Sequence, residues 1–114
     1  MHGLFLPQES RTFADHPKFA GVRIAVLVRG TDSDQISVSQ LEIEPGVEVP
    51  VHTHELQSDS IFVLSGQGEA FINGTWRRIG PGDYILAPGH VEHAVRNTGS
   101  LALRLFVHHS PPLF

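Results

Sequence analysis

The 114-residue chain contains no cysteine. That excludes disulfide bracing, thiolate metal sites and cysteine nucleophiles. It also lacks any apolar run near the roughly 18 residues that a membrane-spanning helix needs. The opening MHGLFLPQESRTF has no basic stretch followed by a long apolar one. No signal peptide is therefore expected, and a cytoplasmic location is the expectation. Positive charge is scarce, with 8 Lys and Arg against 12 Asp and Glu, a formal net charge of −4. Such a balance argues against nucleic acid or an anionic membrane as the main partner. Helical periodicity is missing beyond about two turns, and the best candidate for even a short turn lies within 8–20.

What is present reads as a small all-β domain. Hydrophobic residues make up 40% and charged residues 18%, a globular composition. The length suits one domain over 1–114 with one modest core. Eleven glycines and eight prolines punctuate β-branched segments. Strands are expected at 22–28, 35–43, 60–66, 68–72, 75–79, 83–88, 92–97 and 101–109, with a turn over 44–50. Asn73-Gly74 between two such runs predicts a type I′ hairpin, since both residues tolerate positive φ. Short strands at this spacing predict a sandwich or a closed barrel. Ile61, Val63, Phe71, Ile85, Val95, Leu103 and Leu105 are the candidate core.

Eight histidines stand out, as many as all lysines and arginines together. His2 and His16 read as surface scatter. His52 and His54 form one tight pair, and His90 and His93 another. Residues i and i+2 of a strand share a face, so His52 and His54 project together and can chelate one ion. Asp59 opens the next strand, with Ile61, Val63 and Ser65 on its face. Three imidazoles and a carboxylate suit Fe, Mn, Ni, Co, Cu or Zn and not Ca or Mg. On spacing alone, two unrelated surface pairs are an equal reading.

The arrangement resembles a known family, the cupins, small jelly-roll β-barrels built as a double-stranded β-helix. Gly46, His52-Thr53-His54, Asp59 and Gly66 fall at the positions of the first cupin motif, spanning 46–66. Gly82, Pro88, His93 and Asn97 fall at those of the second, spanning 82–97. The short spacer is similar to that of small single-domain bacterial members.

The resemblance implies that His52, His54 and His93 ligate one divalent transition metal ion per chain. Asp59 takes the place of the usual glutamate and is one methylene shorter. His90 stands where the second motif's second glycine is expected and is the candidate catalytic residue, as a proton shuttle, with a supporting role beside the ligands or an exposed loop position as the other readings. A metal-dependent enzyme is implied, either a dioxygenase or an isomerase or lyase using Lewis-acid chemistry. The alternative is a non-catalytic module that binds a metal or small ligand. The partner is a small organic ligand in an apolar cup, with Arg96, Arg104, Gln40 and Tyr84 as candidates to orient it. Trp76, Arg77 and Arg78 read as packing and solubility residues. His108 and His109 match no motif position and read as bystanders. A homodimer is expected by family precedent, through the apolar strand within 20–29, an edge that needs covering.

Overall fold

The computed structural model describes residues 3–114, so the reading of His2 lies outside them. After a 3₁₀ turn at Gln8–Ser10 come ten strands. They are β1 Ala14–Asp15, β2 Val22–Val28, β3 Ser37–Ile43, β4 Glu48–His52 and β5 Ser58–Ser65, then β6 Gly68–Ile72, β7 Thr75–Ile79, β8 Tyr84–Ala87, β9 His93–Asn97 and β10 Leu103–Ser110. A six-stranded sheet runs β1-β2-β3-β10-β5-β8, and a four-stranded sheet runs β4-β9-β6-β7. All neighbouring pairs are antiparallel. The result is a two-sheet jelly roll. Among the described residues β8 and β7 are free sheet edges and no ladder closes the ring, so the architecture is a sandwich and not the closed barrel also expected.

Alternation builds the core. Leu103, Leu105 and Val107 of β10 point inward and alternate with more exposed neighbours, as do Ile61 and Val63 of β5, whose outward neighbours include the apolar Phe62 and Leu64. They meet Ile43, Val22, Val95, Ala70 and Ile79 in one cluster. Each fully buried aliphatic side chain contributes on the order of 1.5–3 kcal/mol of transfer free energy. Phe71 departs from the expected core. On β6 it is Ala70 that is buried, and Phe71 sits on the opposite face against Trp76, with ring centroids 5.5 Å apart. A shift of one residue reverses every side chain of a strand, and β6 takes the register that buries Ala70 in place of Phe71.

The turns follow the sequence closely. Asn73 and Gly74 both take positive φ, 53° and 76°, as a type I′ hairpin requires. Gly66 has φ 93°, and a Cβ there would lie 2.6 Å from the Ala102 carbonyl oxygen, so only glycine fits. The expected turn over 44–50 is shorter than predicted, because β4 already begins at Glu48. Asn97 locks the neighbourhood together. Its Nδ2 donates to the carbonyls of Ile43 and Leu101, each at 2.8 Å, while its Oδ1 accepts from Gly99 N–H at 2.8 Å. The motif asparagine is thus a structural tie between β3, β9 and the loop before β10.

Candidate metal centre

Four elements bring the predicted ligands together at one end of the sandwich. His52 ends β4 and His93 begins β9, opposite each other in the ladder. Their rings lie 4.3 Å apart. His54 follows in a loop and not on the strand, yet its ring is 5.0 Å from His52 and 5.4 Å from His93. Asp59 points inward from β5, on the face of Ile61 and Val63. One donor atom from each of His52, His54, Asp59 and His93 lies within 4.8 Å of the others. Donors held at about 2.0–2.2 Å from one ion stand at most about 4.4 Å apart. Small adjustments therefore suffice to close the set on a cation.

Backbone carbonyls aim two of the rings. His52 Nδ1–H donates to Pro50 at 2.7 Å, and His93 Nδ1–H donates to Val91 at 2.9 Å. A carbonyl can only accept, so both Nδ1 atoms carry the proton and both Nε2 atoms are available as ligands. His93 Nε2 nevertheless lies 2.9 Å from Asp59 Oδ2. That contact needs positive charge: either a second proton on His93 or a metal ion. Burial disfavours the charged His93, but the Asp59 carboxylate and the Val91 carbonyl more than compensate and raise its pKa. Burial likewise works against a charged Asp59. The contacts from His109, His54 and His93 outweigh it and hold the carboxyl well below the usual carboxylate range. For His52 burial dominates and lowers the pKa, which favours the neutral, ligating imidazole.

Donor chemistry and unmet hydrogen-bonding capacity both fit a cation. His54 Nε2 and Asp59 Oδ1 are buried without a hydrogen-bond partner. Orphaned buried polar atoms are rare in native proteins and call for an explanation. One ion bound between them satisfies both atoms, and imidazole with carboxylate is a donor set for a borderline divalent metal.

The structure adds a residue that the sequence analysis passed over. His109 lies directly across the β10–β5 ladder from Asp59. Its Nε2 is 3.3 Å from Asp59 Oδ2, and its ring meets His54 edge-on at 5.2 Å. Asp59, His93 and His109 are 5%, 3% and 5% exposed. The missed signal was parity: Leu103 and Leu105 were placed inward, and the same alternation reaches His109. His108 points the other way, toward Phe106.

His90 occupies an exposed turn and does not line the cavity. Its N–H donates to the His54 carbonyl at 2.8 Å, and its φ is 69°. This is the left-handed conformation that a glycine at the same motif position adopts without strain. The four orienting candidates also face elsewhere. Arg96 pairs with Glu69 at 2.7 Å and stacks over Trp76. Arg104 meets Glu42, Gln40 accepts from Arg11, and the Tyr84 hydroxyl contacts Ser60.

Above the cluster opens a cavity of about 340 Å³. Its walls are aliphatic side chains from both sheets. Its rim comes from His16–Phe19 and from Leu113 and Phe114, segments with no part in the ladders.

Fold and site define a jelly-roll domain with a histidine-rich metal cradle at one end. The family described as Cupin domain matches residues 39–109, and the chain belongs to it. Protein SchB of Streptomyces halstedii is 29% identical over 69 residues, 60% of this chain and 50% of that protein. Dimethylsulfoniopropionate lyase DddQ of Ruegeria pomeroyi is 32% identical over 65 residues, 56% of this chain and 32% of that protein. The chain thus matches half or less of the length of these relatives. A predicted oxalate decarboxylase from Thermotoga maritima has the same fold, with TM-score 0.85, 21% identity, and coverage of 95% of this chain and 99% of that one. Among the described residues no helix is long and apolar enough to cross a membrane.

Proposed function

We propose that this chain is a metal-dependent enzyme of the cupin type acting on a small organic molecule. The observation that carries the reading is the convergence of His52, His54, His93 and Asp59 at the base of an apolar cavity, with His54 Nε2 and Asp59 Oδ1 buried and unpartnered. Bound there, a divalent ion supplies Lewis acidity toward a substrate oxygen, or redox chemistry if it is iron. The chain's own residues do the rest. Pro50 and Val91 fix the ring tautomers of His52 and His93. The aliphatic walls keep water from the reacting end. Asp59 either takes a ligand position or stands beside the ion as a free carboxylate base, held by the contact of its Oδ2 with His109 Nε2 at 3.3 Å. No step is assigned to His90, whose side chain lies outside the cavity.

The lyase named among the relatives supports the isomerase or lyase arm over the dioxygenase arm. A homodimer formed along β2 also belongs to this reading. Among the described residues β1 pairs with Arg23 and Ile24 of that strand, and no strand pairs with Ala25–Val28 on that side.

Elemental analysis of the natively expressed protein, with His52→Ala as control, tests the proposal. About one equivalent of a transition metal is expected in the wild type and little in the variant. Less than about 0.1 equivalent in the wild type, also after reconstitution, removes the metal-dependent reading. Oxygen uptake with catechols and 1,3-diketones then separates dioxygenase from isomerase or lyase.

A further inference from the structure

We propose that the cavity selects a small amphiphilic chelator, with an oxygen-bearing head for the metal and an aromatic or hydrocarbon body for the walls. It rejects polyhydroxylated molecules of similar size. The inference rests on the metal-binding reading above and adds the class of substrate.

The argument comes from where hydrogen-bonding groups are found. Polar atoms meet the cavity at the cluster of His52, His54, Asp59, His93 and His109. Away from it the wall is Leu41, Ile61, Val95, Leu105 and Val107. Ser39 is the one buried hydroxyl residue among the lining side chains, and Thr53 is exposed. His16 and Lys18 belong to the rim. A ligand that reaches the cluster therefore finds partners for its head and almost none for its body. A sugar or sugar acid carries a hydroxyl on nearly every carbon. Each hydroxyl pressed against Ile61 or Val107 gives up water without receiving a replacement partner.

Aromatic groups flank the cluster on both sides. Phe19 lies 6.2 Å from the His52 ring and stacks on His16 at 4.7 Å. Phe114 lies 6.0 Å from the His109 ring. Both rings line the cavity, and aromatic faces favour a flat apolar body packed against them. At about 340 Å³, the space holds on the order of ten water-sized groups, which suits one ring with a short polar head.

Three probes with one shared head separate the possibilities. Lactate, mandelate and gluconate are all α-hydroxycarboxylates and differ only in the body. The protein is loaded with one equivalent of Co(II), its metal content measured first, and each probe is titrated while the cobalt absorption is followed. A protein that takes up no metal fails at that first measurement, which overturns the metal-binding reading and not the cavity argument in particular. With metal bound, mandelate is expected to bind at least about tenfold more tightly than gluconate and than lactate. Phe19→Ala should weaken mandelate several-fold and leave the cobalt content unchanged. Gluconate binding as tightly as mandelate overturns the proposal. So does lactate matching mandelate, since the body would then make no use of the walls. Failure of all three to perturb the cobalt spectrum overturns it as well.

Discussion

His109 and Asp59 form a cross-strand pair inside the sandwich, with His109 Nε2 at 3.3 Å from Asp59 Oδ2. The pair gives the buried Asp59 carboxylate a partner on the neighbouring strand. The carboxylate is held from behind by a residue on the neighbouring strand and is not left to reach forward alone. Outer partners of this kind typically change metal affinity 10- to 100-fold when removed. His109→Ala should therefore weaken metal binding by about that factor in a chelator competition. It should also lower stability by about 1–3 kcal/mol, through loss of a hydrogen bond to a charged group. Unchanged affinity would make His109 a packing residue.

The raised pKa of His93 has a definite sign. A histidine whose folded pKa exceeds its unfolded value stabilises fully below the unfolded value of about 6.5, and loses that contribution as pH rises through the folded one. Asp59 behaves oppositely: its depressed pKa stabilises above the ordinary carboxylate value and fails in acid. The His93–Asp59 ion pair therefore acts between about pH 4 and pH 6.5 and fades above. In chelator-treated protein, the destabilisation caused by His93→Gln should be larger at pH 5.5 than at pH 9 by about 1–2 kcal/mol. Comparing variant with wild type at each pH removes the part of the opposing His52 contribution that burial causes, while the part caused by the His93 charge is lost with the variant. Urea unfolding at the two pH values measures the difference, and a gap independent of pH would refute it.

Asn97 offers a control away from the metal ligands. Asn97→Ala leaves the carbonyls of Ile43 and Leu101 and the Gly99 N–H without their partner. Each orphaned buried group costs about 1–3 kcal/mol. A loss of about 3 kcal/mol in denaturant unfolding is expected, with metal content retained in the fraction that folds.

His90 yields the opposite sign. A non-glycine residue in the left-handed region costs roughly 1 kcal/mol. His90→Gly should therefore raise stability by up to about 1 kcal/mol and leave metal content unchanged. Loss of bound metal in this variant would give the His90 side chain a role that its exposed position does not suggest.

Much of the molecule could be read from residues alone, and the failures share a cause. Glycine and proline positions, the Asn73-Gly74 hairpin and the two histidine pairs are local features, and local features carry their own physical signature. The convergence of His52, His54, Asp59 and His93 followed from spacing and family pattern together. Phe71 was misassigned because an apolar residue on β6 gives no sign of which face it takes, and the small Ala70 fills the core instead. His109 was missed because its partner lies some fifty residues away. Only the pairing of β10 with β5 sets it opposite Asp59. The rim of the cavity had no signature at all, as Phe19 and Phe114 sit in segments without periodicity.

Those rim segments separate two kinds of inheritance in this small protein. His52, Asp59 and His93 sit on strands and His54 in the short loop between β4 and β5, where most substitutions disturb either register or core. Residues 16–19 and 112–114 lie outside the ladders, though Phe19 packs against the core. Leu113 N–H is tied to Ser37 and Gly30 N–H to Phe114, while the side chains beside those ties face the entrance. Substitutions confined to those side chains would change what the cavity admits while leaving His52, His54, Asp59 and His93 in place.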